Sequence, residues 1–145
     1  MKKALLIPFI ALIVSCNCTK DAAAQTEQKQ NPLYEVLTAS QYQGKDAPSV
    51  EIVKDSRALQ HLYAAVNDKK IPEVDFTRQQ IVAIFIGIKN SGGYGIKVGD
   101  VVEKDNKIHL SYETTKPAKN ANVTMAMTNP FTIIRINSTK PIVIE

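Results

Sequence analysis

The chain has 145 residues, with 18 Lys and Arg against 14 Asp and Glu, two His and two Cys. That length suits one domain, and a formal net charge of +4 leaves no nucleic-acid footprint. His61 and His109 lie far apart in sequence, and a structural zinc site needs about four ligands, so no metal or cofactor is expected.

In chain order, Lys2 and Lys3 precede an apolar run from Ala4 to Val14, broken only by Pro8, and then Ser15 and Cys16. A short positive head, an apolar stretch of roughly 7–15 residues and a small residue before the cut make a secretory signal. The stretch is too short for a stop-transfer helix. Ile13-Val14-Ser15-Cys16 resembles a bacterial lipobox. The resemblance implies that residues 1–15 are removed and that Cys16 becomes the lipidated first residue. The remaining 130 residues carry 16 basic and 14 acidic groups, so the sequence pI of about 9.0 overstates how basic the mature chain is. Acyl chains contribute about 0.8 kcal/mol per buried CH₂, and two or more of them tether a protein firmly to a membrane. With Cys16 acylated, Cys18 has no disulfide partner in the chain and reads as a thiol beside the anchor, with a second acylation or an intermolecular bridge as the alternatives.

Residues 16–33 are rich in Ala, Gln, Lys and Thr and hold no aromatic side chain. Such a segment buries too little apolar surface to offset its ordering entropy, so a flexible tether is expected. Asn17 after the lipidated Cys resembles outer-membrane sorting in the bacterial envelope and leaves the periplasmic or external face open.

Residues 34–145 read as a β-rich domain. Tyr34 to Leu37 and Ser49 to Val53 alternate polar and apolar residues as strands do, with a loop through Gly44 and Pro48 between them. Asp55 or Ser56 caps a helix whose inner face is Leu59, Leu62, Tyr63 and Val66, and Pro72 lies past its end. His61 falls off that stripe. Ile81 to Ile86 is apolar at every position, which predicts a strand covered on both faces. Gly95 to Val102 returns, with a phase slip at Gly99 that predicts a β-bulge. After a turn at Asp105-Asn106, Lys107 to Thr115 points Ile108, Leu110 and Tyr112 inward. Val123 to Met127, Phe131 to Ile136 and Pro141 to Ile144 are further expected strands. The fold class is α+β, mostly β: antiparallel sheets in a sandwich-like stack with one helix packed on them.

The loop Lys89-Asn90-Ser91-Gly92-Gly93-Tyr94-Gly95 is where function is expected. Paired glycines permit positive φ and close backbone approach, and Tyr94 joins a large ring to a polar tip. No helix follows Gly93 and no Lys-Ser/Thr pair is present, which disfavours a phosphate cradle.

Phe85-Ile86-Gly87, Ser91-Gly92-Gly93-Tyr94 and the alternating Ile96 and Val98 resemble the C-terminal domain of the PrcB family of protease-complex subunits. The similarity continues through Glu113 to Pro117, Asn120 to Met127 and Asn129 to Ile134, and covers roughly residues 50–138. Members are typically exported lipoproteins. The resemblance implies a non-catalytic subunit that binds or stabilises a partner protein, a protease among the candidates; the candidate contact residues are Gly92, Gly93, Tyr94, Pro117, Pro130 and Phe131.

Asn90 to Tyr94 also resembles a loop of chagasin-type cysteine-protease inhibitors, and Asn129-Pro130-Phe131 is loosely similar to a second loop of theirs. That resemblance implies a plug built from residues 90–95 and from Pro130-Phe131. Small-ligand binding within the sandwich is a further alternative. Catalysis is not expected: His109, Ser111 and Glu113 alternate on one strand about 6–7 Å apart, beyond hydrogen-bond reach of each other.

Overall fold

A computed structural model describes residues 33–145. The expected signal peptide, Cys16, Cys18 and the expected tether up to residue 32 lie outside the described residues. In chain order the elements are β1 (Tyr34–Ser40), β2 (Pro48–Val53), α1 (Ser56–Ala65), β3 (Gln80–Ile86), β4 (Gly95–Lys104), β5 (Lys107–Thr115), β6 (Phe131–Ile136) and β7 (Ile142–Ile144). No helix among the described residues is long and apolar enough to cross a membrane.

The uninterrupted apolar run of β3 organises the whole domain, because both of its faces are covered. All seven of its residues are buried. Ile81, Ala83 and Phe85 pack with Leu59, Leu62, Tyr63 and Val66 of the helical stripe. Val82 and Ile84 point the other way, against Val101, Ile108 and Leu110 of the second sheet. The first sheet has the order β1-β6-β3-β2, all antiparallel, and the second the order β4-β5-β7. The domain is therefore three layers deep: helix, four-stranded sheet, three-stranded sheet. This is the mostly-β architecture with one packed helix that the periodicity predicts.

Local chemistry fixes the helix. Asp55 is the N-cap, and its carboxylate accepts a 2.8 Å hydrogen bond from the Ala58 N–H, one of the donors a helix start leaves unpaired. Burial raises the Tyr63 hydroxyl above its usual pKa, consistent with a ring sunk against the sheet. Asp55→Ala should cost about 1 kcal/mol of stability. Urea unfolding checks this, with Asp55→Asn retaining most of the stability.

Three expectations are corrected. Val123 to Met127 is not a strand: Thr124 and the adjoining Thr128 bond to Gly92 and Lys89 of the connection before β4, and the segment runs as a mostly exposed loop. The last strand is shorter than expected and pairs parallel to β5, because the chain crosses to the other sheet after β6. The meander is thus not wholly antiparallel. The bulge falls where the phase slip puts it, between Val98 and Val101.

Candidate functional site

Strand register gathers three connections at one end of the sandwich. Ser40 stands opposite Phe131, Pro48 opposite Ile86, and Gly95 opposite Thr115. The connections 41–47, 87–94 and 116–130 therefore leave from the same end. Tyr34, opposite Ile136, lies at the other.

Backbone hydrogen bonds lock these connections together. Gly44 N–H donates to the Asn129 carbonyl (2.9 Å), the Asn129 side-chain amide donates back to the Gly44 carbonyl (2.8 Å), and the Asn129 N–H donates to Gln41 (3.0 Å). Lys89 and Thr128 exchange a pair of bonds at 2.7 and 3.0 Å, and the Thr128 hydroxyl donates to Ser91 (2.9 Å). Ile88 N–H reaches the Asp46 carbonyl at 3.1 Å, and Gly92 N–H reaches Thr124 at 3.0 Å. A loop with this many internal partners holds its shape without help from a strand.

The site residues expected from sequence divide into two groups. Gly93, Tyr94 and Pro117 come together at the surface of this end, whereas Gly92 is buried beneath Thr124 and its expected exposure is corrected. Gly93 has φ of 85°, and a Cβ there would meet the Pro117 ring at 2.9 Å and Val123 at 3.2 Å. The missing side chain thus serves packing between two loops of this chain, in a conformation that favours glycine. Tyr94 is half-buried, with the Lys89 ammonium 5.9 Å from its ring centre. Pro130 and Phe131 belong elsewhere, and their expected exposure is corrected. Pro130 is buried, and Phe131 is 3% exposed with its ring 6.0 Å from that of Phe85. The plug pictured on Pro130-Phe131 has no surface to act with.

What the end does expose was not singled out in the sequence. Met125 is 90% exposed, Met127 66%, Tyr42 49% and Ile88 41%. The hydrogen bonds above bring their backbones together: Met127 adjoins Thr128, Ile88 adjoins Lys89, and Tyr42 adjoins Gln41, which holds Asn129. Large apolar side chains clustered on rigid loops mark an interaction surface. The misleading signal was the alternation of Val123, Met125 and Met127, which reads as a strand face and not as an exposed tip.

The remaining candidates are accounted for by contacts within the domain. His109 is not on an open face: its Nδ1 lies 2.6 Å from the Glu145 carboxylate. The Ser111 hydroxyl accepts from the Asp100 N–H (2.8 Å) and donates to the Asp100 carbonyl (3.3 Å), which closes the bulge. Among the described residues no group of three or more His, Cys, Asp or Glu side chains is placed to hold a metal. Between the sheets, Val82, Ile84, Leu110 and Ile134 fill the space that a small ligand in the sandwich would occupy.

Comparison with known proteins adds one finding. Residues 80–137 match the family described as PrcB C-terminal. The match runs from the first residue of β3 to just past β6, and so takes in two strands of each sheet and the connections 87–94 and 116–130. No curated protein matches, and no solved structure does.

Proposed function

We propose, for a chain whose residues 80–137 match the PrcB C-terminal family, that it is an envelope lipoprotein: a non-catalytic subunit that binds and stabilises a partner protein, a protease-complex component by the family resemblance. The observation that carries this reading is the cluster Tyr42, Ile88, Met125 and Met127. Three of those four side chains lie in the family-matched segment. Exposing large apolar groups costs solubility, and holding them on hydrogen-bonded loops suits a surface made to be covered.

The anchor belongs to the same reading. The lipobox-like Ile13 to Cys16 supports cleavage before Cys16 and attachment to the outer membrane. β1 starts at the end remote from the three loops and spans about 20 Å before reaching them. A chain held at Cys16 therefore enters this domain at the end opposite the three loops, which leaves the loop end to a partner that need not touch the bilayer.

One experiment addresses both halves. The full-length chain is expressed in its native envelope, labelled with a clickable fatty-acid analogue, and purified with whatever it holds. The expected result is a labelled chain that carries a specific larger protein. Cys16→Ser should lose label and membrane attachment, while Met125→Asp with Met127→Asp should keep both and lose the companion. If the double variant retains the same companion, the loop end is not the contact. A wild type recovered unlabelled and alone sinks the reading as a whole.

A further inference from the structure

We propose that the partner presents at this contact an apolar protein surface flanked by carboxylates. The inference rests on the subunit reading above and adds the chemistry of the other side.

Charge in the two connections that carry Ile88, Met125 and Met127 is of one sign. The connections 87–94 and 116–130 contain Lys89, Lys116 and Lys119 and not one acidic residue. In the third connection Lys45 is already committed to Glu51, which leaves Asp46 as the one exposed acid. The ion pairs formed among the described residues join Lys45 to Glu51, Arg135 to Glu35 and Lys140 to Glu103, and the imidazole of His109 lies against Glu145. Lys89, Lys116 and Lys119 take part in none of them. At the opposite end charges are balanced: residues 66–79 hold Asp68, Glu73 and Asp75 against Lys69, Lys70 and Arg78. Cationic side chains left unneutralised around an apolar contact steer an acidic partner and set its register.

An anionic lipid surface shares that charge preference, but the apolar groups favour protein. Lipid-inserting faces draw on Trp, Phe and Leu. This chain has no Trp, and among the described residues the most exposed large apolar side chains are two methionines. Flexible, polarisable thioethers adapt to the irregular relief of another protein.

Methionine occurs only at positions 1, 125 and 127, and that distribution supplies the test. Growth on photo-methionine places a diazirine at Met125 and Met127 of the full-length chain. Illumination of intact envelopes then joins the chain to whatever lies against this end, and the joined peptides are sequenced. The expected product is a protein peptide in which the crosslinked residue is flanked by Asp or Glu. Lys116→Glu with Lys119→Glu should cut its yield by about tenfold, as charge reversal slows association, and raised salt should act in the same direction. Lys69→Glu with Lys70→Glu should leave the yield unchanged, and circular dichroism confirms that each variant is folded. A protein product that is indifferent to the charge reversal, or whose joined peptide is neutral or basic, overturns the acidic chemistry and leaves the subunit reading intact. A product joined to a second copy of this chain likewise overturns it. Crosslinks to lipid alone, or none, overturn both.

Discussion

Phe85→Ala should destabilise the domain by about 3–5 kcal/mol, the usual cost of removing a buried phenyl ring. The ring is 1% exposed on the central strand, stacks 6.0 Å from Phe131, and has the Lys45 ammonium 5.2 Å above its face. Truncation removes transfer energy and leaves a cavity between the helix layer and the first sheet, where close packing leaves little room to collapse. Since a domain has in total about 5–15 kcal/mol of stability, the variant should be near its unfolding threshold at ordinary temperatures. Urea unfolding should show a lowered midpoint with an unchanged slope. Phe85→Leu, which keeps most of the volume, should lose much less. A loss below about 1 kcal/mol for the alanine variant would show that the ring is not held in a close-packed core.

Gly44→Ala should have the largest effect on the loop end. A Cβ at this position would stand well inside contact distance of the Asn129 carbonyl oxygen. The obstacle is backbone, so no rotamer change relieves it. Overpacking of this kind costs about 1–3 kcal/mol, and forcing the loops apart also strains the three hydrogen bonds through which Asn129 holds Gln41 and Gly44. Amide exchange should quicken at Gly44, Lys89 and Thr128, while the amides of β3 change only as far as global stability falls. Gly95→Ala is the comparison: its Cβ would meet only the Thr115 hydroxyl, at 3.0 Å, and a side chain can turn away. Equal exchange at the loop amides in wild type and Gly44→Ala would mean that Asn129 is not the clasp.

How much of this could be read in the sequence depended on whether a signal was local. The helix stripe of Leu59, Leu62, Tyr63 and Val66 was legible because burial of one face at a period of 3.6 is written into neighbouring residues. The doubly covered β3 and the bulge after Val98 were legible for the same reason. Alternation failed at Val123 to Met127, since a period of two reports the pleat of a strand and not whether a neighbouring strand pairs with it. It also gave no direction for β7, whose parallel pairing with β5 follows from where β6 delivers the chain. Residues near one another in the loop end were found, but with exposure assigned to the wrong ones. Pro130-Phe131 was read as a tip from its loose similarity to an inhibitor loop, whereas the register opposite Phe85 draws that ring into the core. Asn129, the residue that ties two connections together, offered one clue: an Asn before a Pro favours a turn.

Neither sheet is a continuous piece of the chain. β1, β2, β3 and β6 make one, and β4, β5 and β7 the other, so the polypeptide passes between sheets after β3, after β5 and again after β6. Interleaving of this sort denies either half an independent existence. Pulling the sheets apart drags β6 from the middle of one or β7 from the rim of the other, and exposes Ile134 and Leu110 together. The described residues should accordingly melt as a single all-or-none unit. Cleavage within the 116–130 connection would sever the linear order and still leave two fragments that need each other to stay folded.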